Sequence, residues 1–184
     1  DLRQQALRHG LMGLDAVFYT HAHADHIFGL DDLRMFNWRR GGAIPVYGSA
    51  ITLAAIRRTF WYVFEDIEAG GGKPLLDLHE VRAPFQLLGR TVIPVPLYHG
   101  RLPILGYRIG GFAYLTDVSA IPEESYPLLC DLDVLVLSAL RHRPHPTHLH
   151  VARALEEAAR IGAARTLFTH IAHELGHAAV TETL

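Results

Sequence analysis

Ala16-Val17-Phe18-Tyr19-Thr20-His21-Ala22-His23-Ala24-Asp25-His26 is the stretch on which the reading of the chain turns. Val17, Phe18, Tyr19 and Thr20 are strand formers, so a short strand over Ala16–Thr20 is predicted to deliver His21 to a sheet edge. His21 and His23 are two apart, and in extended backbone both rings leave the same face and can share one cation. Asp25 and His26 fall where the chain must turn before the next helical run, so they point differently and can hold a second cation. Such a run suits two metals a few Å apart, bridged by a carboxylate and a hydroxide. Zinc accepts this mixture of nitrogen and oxygen ligands at about 2.0–2.2 Å. Without thiolate, manganese and iron fit as well.

Apolar runs rich in Val, Ile, Tyr and Phe predict further strands at Ile44–Tyr47, Thr91–Tyr98, Ile104–Ile109, Phe112–Thr116, Asp133–Ser138 and Thr166–Thr169. Helical spacing covers Leu2–Leu11, Asp31–Arg39, Ser49–Phe60, His150–Ile161 and Glu174–Thr181, with Gly162 placed to end the fourth. The alternation predicts an α/β fold. Gly70-Gly71-Gly72-Lys73-Pro74 reads as a loop joining two parts of one domain, residues 1–184. His21, His99, Asp117 and His170 each follow a predicted strand. Strand ends along one sheet edge are where α/β proteins gather site residues.

Composition narrows the partners. The formal net charge is −2, which offers no case for nucleic acid or an anionic membrane as an obligate partner. Cys130 is the one cysteine, so an internal disulfide and a Cys-rich zinc site are excluded. A reducing, cytoplasmic setting is the expectation. No apolar run reaches the roughly 18 residues of a membrane span. Thirteen histidines in 184 residues are the unusual number, and their clustering points to metal or proton chemistry.

The run His21-Ala22-His23-Ala24-Asp25-His26 resembles the signature of the metallo-β-lactamase superfamily. The stretches around it (THAHADHIFGLDDLR, HGRLPILGYRIG, AYLTDVSAIP, LSALRHRPHPTH and FTHIAHE) are similar to a narrower branch. That branch includes the carbon–phosphorus lyase accessory cyclic phosphodiesterase and is related to the tRNA 3′-processing ribonucleases. The resemblance implies an αββα sandwich. It also implies that His21, His23 and His99 hold one metal, Asp25, His26 and His170 a second, with Asp117 bridging both and Asp25 counted among the catalytic residues. Members of the branch carry strands before the metal motif, often with a small Cys cluster, and a further strand at the end. This chain starts and stops too soon for them, so a reduced sandwich, incomplete at both ends, is expected.

The function implied is a binuclear hydrolase with two divalent ions, zinc ahead of manganese, whose metal-bridged hydroxide attacks a small or cyclic phosphodiester. Its partner would be that small molecule, and a homodimer is compatible with the chain. Rival readings are hydrolysis of a lactone or thioester, an RNA-processing nuclease, and a silent binding module. His173-Glu174-Leu175-Gly176-His177 matches the zincin pattern HExxH, but only seven residues follow for a third ligand. It is read instead as a solvent-facing helix start. In the proline-stiffened segment Arg141–His148, the resemblance makes His148 the proton donor to the leaving oxygen or a hydrogen-bond donor to the phosphate. His145 is the substitute, and Arg141 or Arg143 could hold a non-bridging oxygen. Cys130 reads as a small buried hydrophobe, and Trp38, Trp61, Tyr62 and Phe64 as packing residues.

Overall fold

Strand formers separated by capped helices build two compact units, residues 1–82 and 83–184. The computed structural model describes residues 2–66 and 72–176.

In the first unit, helix α1 (Leu2–Arg8) precedes the two-residue strand β1 (Val17–Phe18) and a one-turn helix α2 (Ala24–Ile27). A 3₁₀ turn (Leu30–Leu33) runs into α3 (Arg34–Arg40), which ends at Gly41 with φ 72°. Strand β2 (Ile44–Gly48) leads into α4 (Ala50–Thr59), whose N-terminus is capped by Ser49 accepting from Thr52 N. Helix α5 (Trp61–Phe64) and strand β3 (Leu76–Glu80) complete the unit. The strands form a parallel sheet in the order β1-β2-β3. Burial alternates along β2, and its inward Ile44 and Val46 pack with Ile27, Leu30, Leu33, Phe36, Leu53 and Ile56.

The second unit is a six-stranded sheet in sequence order. Strands β4 (Phe85–Leu87), β5 (Arg90–His99), β6 (Leu102–Ile109) and β7 (Phe112–Leu115) are antiparallel neighbours. Strands β8 (Val134–Ser138) and β9 (Arg165–Thr169) then add parallel to β7. Helix α6 (Val151–Ile161) crosses between β8 and β9 and stops at Gly162, φ 70°. Its Val151 and Ala154 pack on Leu97, Leu115, Leu135 and Leu137. Pro94 and Pro96 lie inside β5 without breaking the sheet. They fall beyond the end of β4, where the missing N–H faces an unpaired edge. That edge is covered by the segment after β7: Ser125 Oγ donates to Pro96 O at 2.7 Å and Tyr98 bridges Ala120. A second tie joins the 3₁₀ segment Glu123–Leu129 to α6: Tyr126 donates to the buried Glu157 at 2.6 Å, and Arg153 donates to the same carboxylate at 2.8 Å.

Every predicted strand is present, with ends shifted by a few residues. Two strands escaped the pattern. Leu76–Glu80 carries Asp, His and Glu, poor strand formers that its pairing with β2 overrides. Phe85–Leu87 returns through Leu88-Gly89, both at positive φ, a two-residue hairpin turn whose first position is an unusual place for leucine. The chain turns at His173–Glu174 and shows no helix through Gly176, and the rest of the helix predicted to Thr181 lies outside the described residues. Gly70 and Gly71 of the glycine-rich loop lie outside them too, while Gly72–Leu75 has no regular structure. Cys130 is exposed rather than buried, and Trp38 and Trp61 are largely in solvent. Tyr62 and Phe64 do pack on the first core. Among the described residues no helix is long and apolar enough to cross a membrane.

A Cβ at Gly106, inside β6, would meet Leu115 Cδ2 at 2.4 Å, Leu97 Cδ1 at 2.9 Å and Tyr114 O at 3.0 Å. Gly106→Ala should therefore cost about 1–3 kcal/mol of stability through overpacking. Denaturant unfolding checks this, and an unchanged midpoint would mean the second core yields more than its packing suggests.

Candidate metal centre

Strand β1 ends at Phe18, and Tyr19 N still donates to Tyr47 O at 2.8 Å before the chain leaves the sheet. His21 follows with 2% of its surface exposed. His23 occupies the N-cap position of α2, and Ile27 anchors that short helix in the first core. The backbone therefore turns at the predicted place, into a helical turn. The rings of His23 and His26 lie 4.6 and 4.3 Å from that of His21, and Asp25 Oδ2 is 3.1 Å from His26 Nε2. Ligand atoms of His21 and His23 approach within 4.8 Å, as do those of Asp25 and His26. The first unit thus gathers all of its predicted ligands, His21 buried and Asp25 exposed.

In the second unit, strand direction does the gathering. β5 and β7 run the same way because β6 lies antiparallel between them, and β8 and β9 run with β7. His99 at the end of β5, Asp117 after β7, the loop after β8 and His170 after β9 therefore share one sheet edge. Asp117 is 2% exposed, and its two oxygens face different imidazoles: Oδ2 lies 4.0 Å from His99 Nε2 and Oδ1 3.2 Å from His170 Nε2. Asp117 (φ 57°) and His170 (φ 55°) are both left-handed, a conformation that non-glycine residues keep only where their surroundings enforce it. Those surroundings are visible. Ser138 Oγ accepts from Val118 N at 3.0 Å, Thr116 Oγ1 donates to Asp117 Oδ1 at 3.0 Å, and Ala139 N donates to Thr169 O at 3.0 Å.

His99 is oriented by a residue that sequence reasoning passed over. Its Nδ1 lies 2.7 Å from Thr147 O. A carbonyl only accepts, so Nδ1 carries the proton and Nε2, on the Asp117 side, offers its lone pair to a metal. Gly100, φ 61°, makes room: a Cβ there would meet Thr147 Cγ2 at 2.9 Å. Neither residue type announces such a role in sequence.

His148 is half-buried in the same unit. Its ring stacks on His170 at 5.1 Å and lies 4.6 Å from His99 and 5.0 Å from His145, and its buried Nδ1 has no hydrogen-bond partner among the described residues. Burial lowers its pKa to about 4, with Asp117 opposing and His99, His170 and His145 adding to the depression. Arg141 and Arg143, the arginines named for a non-bridging oxygen, both make contacts within the second unit. Arg141 donates to Arg143 O and Pro144 O, and Arg143 pairs with Glu174 at 3.1 Å. That contact also absorbs the glutamate of the HExxH match.

Residues 1–171 match the family model for the β-lactamase superfamily domain. The chain belongs to that superfamily. Its fold is the metallo-β-lactamase fold, as the crystal structure of a diphosphatase from the PhnP family indicates: 42% identity, TM-score 0.90, covering all of this chain and 71% of that one. An octanoyltransferase of Porphyromonas gingivalis is 43% identical over 176 residues, which are 94% of this chain but 35% of that protein. The chain thus spans about a third of the curated relative's length. The short form of human tRNase Z shares the fold at 20% identity and a TM-score of 0.67, covering 87% of this chain and 73% of that one. Imidazoles and carboxylates in these clusters form a donor set that fits divalent metal ions, and the lone-pair face of His99 beside buried Asp117 fits it in geometry.

The depressed His148 pKa sets an expectation for metal-free protein. Between the ordinary value of 6.5 and the folded value of about 4 the unfolded chain binds a proton that the folded one refuses. Stability should therefore fall as pH drops through that window, and His148→Gln should flatten the slope. Melting temperature followed against pH checks this; identical slopes would show that His148 is not held neutral.

Proposed function

We propose that the chain is a binuclear metal-dependent hydrolase acting on a phosphorus that carries two ester or anhydride oxygens, as in a small or cyclic phosphodiester or a diphosphate ester. The observation that carries this reading is Asp117, buried, with each carboxylate oxygen turned to a different imidazole. In the proposal His21, His23 and His99 hold one ion, Asp25, His26 and His170 the other, and Asp117 serves both. Zinc is favoured and manganese is the alternative. The bound ions would supply an activated water and offset the charge gathering on the phosphoryl oxygens.

The chain's own residues supply the rest. Thr147 O fixes the tautomer and tilt of His99. The enforced left-handed turns hold Asp117 and His170 at the strand ends, so little reorganisation is needed during the reaction. His148 gives its proton to the leaving oxygen. An anionic phosphoryl group beside the ring would favour the protonated form, as Asp117 already does. The substrate class is supported by the diphosphatase that shares 42% of the sequence. A net charge of −2 suits a small anion better than a polynucleotide.

The name of the octanoyltransferase gives attack on a thioester or ester carbonyl the second place. Acyl transfer through a cysteine is disfavoured by position. Cys130 precedes β8, whereas the histidines and Asp117 sit where strands end.

Protein reconstituted with zinc or manganese should carry close to two ions per chain by elemental analysis; one or fewer would overturn the binuclear reading. Asp117→Ala should lose more activity than His170→Ala, because it removes a ligand from both ions. In a panel of diesters, diphosphate esters, monoesters, lactones and lactams, diesters or diphosphate esters should give the highest kcat/KM, and a lactone or thioester in first place would move the function to the second reading. His148→Ala should lower kcat by about 10²–10⁴-fold on poor leaving groups with metal content unchanged. Loss of metal in that variant would make His148 a ligand.

A further inference from the structure

The segment between β8 and α6 has no regular secondary structure, yet its ends are sewn together. Leu140 N donates to Leu149 O and Val151 N to Arg141 O, both at 2.9 Å, and Leu149 N donates to Val118 O at 2.6 Å. Loops of this kind hold their shape through their own side chains. Inside the neck, Pro144 and Pro146 have no N–H, so the backbone there cannot close its own turns. The Arg141 guanidinium does so instead. Its Nε donates to Arg143 O at 3.2 Å and its Nη2 to Pro144 O at 3.1 Å, one planar group spanning two successive carbonyls. Glu174 lies on the outer side, 3.1 Å from Arg143 Nη2 and 4.0 Å from Arg141 Nε. In the other half of the loop Thr147 N donates to His145 Nδ1 at 3.3 Å. The residue after Thr147 is His148.

We propose that Arg141 is a positioning residue for His148: its guanidinium closes the proline-rich loop over two carbonyls and so fixes the His148 ring beside His99 and His170. The proposal rests on the reading of His148 as the proton donor to the leaving oxygen. Two of the five guanidinium N–H groups of Arg141 are committed to loop carbonyls, the arrangement of a brace rather than of a phosphate ligand. A lysine cannot replace it, since a single ammonium cannot hold two carbonyls in that planar arrangement.

The test uses the metal-reconstituted enzyme and two phosphodiesters that differ only in leaving group, a nitrophenolate and a simple alkoxide. Arg141→Ala and Arg141→Lys should each lower kcat on the alkoxide substrate by about 10–100-fold, the scale on which misplacing a catalytic group acts. Turnover of the nitrophenyl substrate should fall far less, and KM and metal content should hold for both. Combined with His148→Ala, neither substitution should cause a further loss, because both act through one proton transfer. In metal-free protein, amide hydrogen exchange across residues 142–148 should accelerate in Arg141→Ala. If Arg141→Ala fails to fold, Arg141→Lys, which keeps the aliphatic stem, carries the comparison. A raised KM with equal losses on both substrates would make Arg141 a phosphate ligand and overturn the proposal, as would unchanged exchange. Leaving-group sensitivity in His148→Ala without it in Arg141→Ala overturns the role of Arg141 alone. Its absence in His148→Ala overturns the donor role itself.

Discussion

A carboxylate buried to 2% exposure, with imidazole nitrogens turned towards both of its oxygens, sets the terms for the second unit. An uncompensated charge in such surroundings costs several kcal/mol, so Asp117 needs positive partners. It also sits on a backbone conformation that a non-glycine residue avoids. Both demands are met by what lies around it: a serine hydroxyl on the next amide, a threonine hydroxyl on the carboxylate, and strands that end together. The sheet is the scaffold that makes this local cost bearable, because four of its strands run in one direction.

The same edge explains the proline-rich loop. A loop that must present a histidine to neighbouring imidazoles, with prolines in its path, lacks the backbone donors to rigidify itself. Side chains take over: Arg141 for the first half, His145 for the second, and the Thr147 carbonyl as the link to His99. One loop therefore orients a candidate ligand and the candidate proton donor together. Glu174, the glutamate of the HExxH pattern, belongs to this support, while His177 lies outside the described residues.

Much of this was legible in sequence. The spacing of His21, His23, Asp25 and His26, and the strand formers ahead of His21, His99, Asp117 and His170, carry information that is local: residue type, period and distance along the chain. Strands with strong periodic patterns were readable for the same reason. Leu76–Glu80 was not, because its strand character comes from pairing with β2, and Phe85–Leu87 was not, because a leucine stands where its hairpin turn invites asparagine or glycine. The burial of Cys130 and the packing of Trp38 and Trp61 were misread, since exposure depends on neighbours that residue type cannot name.

By itself, then, the sequence determined the fold family and the list of ligand-type residues, because metal chemistry demands particular side chains at particular spacings. Tertiary structure alone decided what each of the others does. The tautomer and tilt of His99 depend on a carbonyl 48 residues away. Arg141 turns into the loop, where the prolines leave carbonyls to be satisfied. The His148 pKa is depressed because the ring is buried, with neighbouring imidazoles adding to the effect. Each of these depends on which groups meet in space, which the order of residues along the chain does not reveal.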